Sequence, residues 1–216
     1  MQAPNSNLRL ITLLERHEQK DCTNPMLKEL YNRHSVEWAT ELVPDLCKDA
    51  SNTIGWIFTG EVDYAECVRR AATKVGVPEN DLLEDECKNE QLLLQCALKK
   101  YFEKLAPEER TKSIGKAIET IGKDNEEILG ALLKGSGASW LAIMQTVSPT
   151  IVRDIILKYM ALAATEQTAL VTARIATLAI PFINVVMAGW MIYDISGPAY
   201  RKIIPSVMNI ALLRLY

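Results

Sequence analysis

Between Tyr64 and Val75 the chain reads YAECVRRAATKV. Its apolar positions, Tyr64, Cys67, Val68, Ala71, Ala72 and Val75, fall at intervals that alternate between three and one. That spacing puts them on one side of a helix turning every 3.6 residues, and no strand has it. Gly76 supplies a left-handed stop and Pro78 blocks continuation. The segment predicts an amphipathic helix over 64–75, and the rest of the chain resembles it.

Working outward, Asn7 to Lys20 carries Leu8, Leu10, Ile11, Leu13 and Leu14 as a short apolar face. Asn24-Pro25 opens a second helix with Pro in its first turn; Met26, Leu27, Leu30 and Tyr31 continue it. After Asn32 a further piece holds Val36, Trp38, Leu42, Val43 and Leu46, and Thr53 to Phe58 is a short apolar run ending at Thr59-Gly60. Pro78 to Lys88 contains five acidic residues and reads as a solvent-exposed connector. Beyond it, Glu90 to Leu105 is helical, with Leu92, Leu93, Cys96, Leu98, Tyr101, Phe102 and Leu105. Ala106-Pro107-Glu108-Glu109 starts another helix, with its acids suited to the macrodipole. That helix carries Ile114, Ala117, Ile118 and Ile121 to Gly122, and a short one covers Asn125 to Leu133. No strand alternation persists. The expected fold is an all-α multi-helix bundle: an acidic helical subunit over 1–78, a connector over 79–88, and a C-terminal helical subunit over 89–216. The parts are expected to pack as one globule.

The 216 residues are 49% hydrophobic and 24% charged, with 24 basic and 27 acidic side chains. That excludes a disordered chain, a collagen and a small disulfide scaffold. A net charge of -3 argues against nucleic acid, which needs a basic surface. The distribution is uneven. Seven basic and three acidic residues fall in the 88 from Leu129 onward, against 17 and 24 in the 128 before them. An apolar back half of this kind points to a membrane contact or a covering partner.

Ala138 to Ala164 reads as a helix bent at Pro149. Between Arg174 and Asp194 lie nineteen uncharged residues, IATLAIPFINVVMAGWMIY, long enough to span a bilayer. Trp190 and Tyr193 fit an interfacial belt, and Arg201 with Lys202 fit a cytoplasmic flank. Pro181, Asn184 and Gly189 interrupt the run, and Phe182 and Val186 are equally at home in a helix buried on every side. Arg174 and Asp194 stand at opposite ends of this helix, so each needs another partner if buried. Ile151–Ala173 would complete an apolar hairpin with Ile175–Tyr193, and Ile203 to Leu213, too short to cross, forms the final short helix.

Catalytic chemistry is not signalled. Five cysteines without a C-x-x-C pair support no zinc or redox motif, and reduced thiols in the cytoplasm are expected. The N-terminus has no signal-peptide pattern and neither end has a lipidation box. His17 and His34 read as surface histidines on exposed helix faces. His34 and Glu37 share a helix face as a weak enzymatic alternative, and the second His–carboxylate set that a metal would need is missing. No nucleophile elbow or Walker loop occurs, and Lys134-Gly135-Ser136-Gly137-Ala138-Ser139 is a helix stop followed by a cap. No catalytic residue, cofactor or metal is expected.

The segment Ser196-Gly197-Pro198-Ala199-Tyr200-Arg201-Lys202-Ile203-Ile204-Pro205-Ser206-Val207, continuing to Ile210-Ala211-Leu212-Leu213-Arg214, resembles the closing motif of the bacterial YaaW-like family. The family pattern is S-G-x-A-Y-R-x-x-I-P-A-V followed by I-A-x-L-R. Asn52-Thr53-Ile54 through Gly60, Tyr64 and Val75-Gly76-Val77 are similar to its N-terminal helix pair. The chain departs from it at Phe182, Val185, Val186, Met187 and Trp190, where some relatives are glycine-rich. The family is partly similar to the ubiquinol–cytochrome c chaperone domain. The resemblance implies a helical, non-catalytic protein acting at a membrane or on another protein, and supplies no catalytic residue. Physically the motif reads as a joint: Gly197-Pro198 breaks the apolar helix and Pro198 opens the last one. The expected function is membrane activity through 151–193, of an associating or pore-forming type, by architectural analogy with colicin-like toxins. The alternative is a chaperone or assembly factor that binds through its apolar back half. The expected partner is lipid or protein, with an oligomer compatible with either, in a cytoplasmic protein that associates with membranes.

Overall fold

The computed structural model describes residues 5–51, 62–104 and 199–215. Among them the chain is all-α, with six helices and no strand: α1 (Ser6–Lys20), α2 (Pro25–His34), α3 (Ala39–Ala50), α4 (Tyr64–Val75), α5 (Glu86–Lys104) and α6 (Tyr200–Leu215), with a 3-10 turn at Glu79–Asp81. The Thr53–Phe58 run, the helices expected after Pro107 and the apolar hairpin lie outside the described residues. So do Arg174, Pro181, Phe182, Asn184, Val186, Gly189, Trp190, Tyr193, Asp194, Ser196 and Gly197.

Local chemistry sets the helix ends. Asn24 Oδ1 accepts from Met26 N at 2.9 Å while Pro25 fills the first turn, which lacks N–H partners in any case. Asp63 caps α4 by accepting from Glu66 N. Gly76 ends it at φ +107°, a conformation that a side chain at this position would strain. The six apolar positions of α4 are all buried, as their spacing requires. In α1, Leu10 and Leu14 are buried but Leu8 is 56% exposed, so the expected face is narrower by one residue.

The acidic connector is shorter than expected. Helix α5 starts at Glu86, and the Glu86 carboxylate is almost wholly buried against Arg9 of α1, accepting from its Nε at 2.7 Å and its Nη2 at 2.6 Å. A bidentate guanidinium partner from another helix lets this acid leave solvent.

The final helix is longer than the Ile203–Leu213 stretch and lies at the centre of the bundle. It packs on α2, α3, α4 and α5, while α1 closes over α3 and α4. Every residue from Ile203 to Leu213 is buried, Pro205 included. A helix enclosed on all sides is apolar all round, so α6 shows little of the one-faced periodicity of α4. Each large side chain buried in this way contributes roughly 1.5–3 kcal/mol.

Candidate functional site

Two buried polar clusters hold α6, one near each end. At its start, His34, the last residue of α2, is fully buried. Its Nδ1 lies 2.7 Å from Asp45 Oδ2 and 3.5 Å from Asp49 Oδ2. Asp45 and Asp49 are four apart on α3, a spacing that puts both on one face. The other ring nitrogen, Nε2, lies 2.8 Å from Ser206 Oγ of α6, and Ser206 Oγ donates to Lys202 O at 2.7 Å. Lys202 Nζ stands 3.2 Å from Asp49 Oδ2, and Ala199 N donates to Asp49 O at 2.8 Å. Burial pushes the His34 pKa below its ordinary value, against the upward pull of Asp45 and Asp49.

His34 is therefore not the exposed histidine expected from sequence. Two aspartates on the next helix and a serine 172 positions along the chain enclose it. Glu37 is not its partner; it donates its backbone N–H to Glu41 instead. The carboxylate partners of His34 are Asp45 and Asp49 of α3 rather than Glu37. Their i,i+4 spacing was the one signal available, and nothing in the chain order links it to His34.

At the other end of α6, Arg214 donates to Glu90 from Nε at 2.7 Å and from Nη2 at 3.2 Å, and the Tyr64 hydroxyl donates to Glu90 Oε1 at 2.7 Å. Burial pushes the Glu90 carboxyl up, and Arg214 and Tyr64 pull it back. The Tyr64 hydroxyl, buried beside a carboxylate, titrates well above the usual range.

Ser206, His34 and Asp45 have the distances of a nucleophile–base–acid relay. Ser206 is fully buried, however, and its hydroxyl lies against a helix carbonyl, so in this state it meets no substrate. Of the motif residues, Ala199 bonds to α3, Ile204 and Pro205 are buried, Arg201 lies in the first turn of α6, and Lys74 Nζ sits 5.0 Å from the Tyr200 ring. Beside Tyr200 a polar cleft of about 410 Å³ is lined by Glu66, Arg69, Arg70, Thr73, Lys74 and Glu79. Glu66 accepts from Arg70 at 2.8 Å there and lies 3.6 Å from Arg69. All five cysteines are free thiols. Among the described residues no helix is long and apolar enough to cross a membrane. No family model, no curated protein and no solved structure matches the chain.

Proposed function

We propose that this is a non-catalytic, membrane-active helical protein whose N-terminal bundle holds the end of its apolar back half through α6. The observation that carries the reading is the central position of α6, buried from Ile203 to Leu213 and pinned at both ends by buried polar clusters. The helix follows the uncharged run Ile175–Tyr193 closely in sequence, so whatever releases α6 frees that run from its anchor. The YaaW-like relationship belongs to the same proposal: the closing motif then marks the joint between membrane-active segment and clasp. An assembly factor would be favoured by an exposed apolar patch on the back half. Among the described residues the exposed large apolar side chains are Leu8, Trp38 and Leu83.

The test is flotation of the full chain with anionic and neutral vesicles, with dye leakage followed from acidic to neutral pH. Flotation with leakage is expected. Val186→Asp, placing a charge in the run, should weaken partition roughly 100-fold, the effect of about 2.5–3.5 kcal/mol at a bilayer centre. Failure to float or leak at any pH would overturn the reading and leave the assembly-factor alternative, to be sought by native pull-down.

A further inference from the structure

The cluster at the start of α6 has too few protons for its contacts. Lys202 O, Ser206 Oγ, His34 Nε2, His34 Nδ1 and Asp45 Oδ2 form a chain joined by the imidazole ring, with three close contacts of 2.7, 2.8 and 2.7 Å. A hydrogen bond needs one proton per contact. Lys202 O and an ionised Asp45 have none to give, a neutral Ser206 has one and a neutral His34 has one. Two protons therefore serve three contacts, so where they lie decides which contact goes without. Ser206 is an i+4 neighbour of Lys202 on α6, and its hydroxyl is satisfied by that carbonyl. The ring proton then belongs on Nε2, pointing at Ser206 Oγ. That leaves the Nδ1 lone pair facing the Asp45 and Asp49 carboxylates, two more sets of lone pairs.

We propose that His34 Nδ1, Asp45 and Asp49 bind a divalent transition-metal ion of zinc type. One atom from each of the three side chains can be chosen so that all lie within 4.8 Å of one another. Tetrahedral bonds of about 2.1 Å place ligand atoms about 3.4 Å apart, so Asp49 Oδ2, 3.5 Å from Nδ1, already has that spacing and Asp45 Oδ2, at 2.7 Å, draws back to admit the ion. Imidazole with two carboxylates is a borderline-hard donor set that suits zinc. Asp49 Oδ2 is buried and has no hydrogen-bond partner among the described residues, its neighbour being the Lys202 ammonium. Ser206 acts as the outer partner that orients the metal-bound ring, the role such partners play on Nε2–H. The charged and titratable groups facing the site are His34 from α2, Asp45 and Asp49 from α3 and Lys202 from α6. Lys202 is 30% exposed, which leaves its ammonium room to turn to solvent when an ion enters. Since Ser206 and Lys202 belong to α6, an ion here would brace the clasp on that helix. The site stands or falls independently of membrane activity.

The experiment titrates the chelator-stripped full chain with Zn²⁺ by calorimetry and with Co²⁺ by visible absorption, alongside ¹⁵N-histidine spectra of the stripped and loaded protein. One equivalent is expected, with a rise in melting temperature that saturates at the same ratio. The Co²⁺ bands should lack thiolate charge transfer, and the His34 ring signal should shift at Nδ1 alone. Asp49→Asn should abolish binding, with Asp45→Asn as the second variant if the first does not fold, and Lys202→Met should tighten it several-fold. Thiolate bands, or unchanged binding in the folded aspartate variant, would move the ion to the cysteines and overturn the site. Absence of binding would overturn it too, whichever His34 nitrogen carries the proton.

Discussion

Tyr64 begins the amphipathic α4 and also carries a polar duty: its ring is fully buried while its hydroxyl donates to Glu90. A buried phenol beside a carboxylate keeps its proton above pH 10.0, the ordinary value. In the unfolded chain the same group ionises near that value. Its folded pKa is raised, so its contribution is intact below pH 10 and is lost as pH rises further, because only the unfolded state releases the proton. Burial likewise raises Cys87, to about 11 from 9.0, so loss of stability begins near pH 9. Urea unfolding between pH 8 and 11 should show this descending limb. Tyr64→Phe should make it shallower above pH 10 by about 1.4 kcal/mol per pH unit. An unchanged slope would mean that the hydroxyl is not buried in solution. The position of Tyr64 on the apolar face was legible from spacing, but its partner was not, since Glu90 sits on another helix.

At the scale of the element, α6 is fixed by chemistry at its ends and apolar contact between them. The Glu90 side chain is buried and that of Arg214 is only 22% exposed, so neither charge tolerates loss of the other. Arg214→Met should cost about 3–5 kcal/mol in urea unfolding because it leaves the carboxylate unpaired, whereas adding Glu90→Gln should recover part of that loss. Additive effects of the two changes would show that the pair is not coupled. The acidic stretch before α5 carries the same lesson. Glu84 and Asp85 fit an exposed connector, but Glu86, next in sequence, is buried because Arg9 reaches it from α1.

For the molecule as a whole, four helices of the described bundle enclose α6. Val207 lies fully buried in the middle of that enclosure. Val207→Asp would bury a carboxylate with no partner, a cost of several kcal/mol that rivals the whole stability of a marginal domain. The cooperative unfolding transition seen by far-ultraviolet circular dichroism should disappear. Leu83→Asp, at an exposed position, should change stability by no more than about 0.5 kcal/mol. A folded Val207→Asp protein would place α6 outside the bundle, and the clasp with it.

The sequence alone determined the fold class, the extents of α1 and α4 and the start of α2, because periodicity, caps, Gly76 and Pro25 act over a few residues and need no distant partner. It also located the apolar run and the split in charge that motivate the membrane proposal. Tertiary structure alone decided that the last helix is the central one, that His34 is buried between Asp45, Asp49 and Ser206, and that Glu86 and Glu90 are interior acids. Each of these depends on residues brought together from far apart along the chain. Burial of a polar side chain is set by whether a partner arrives, and local pattern carries no record of that arrival.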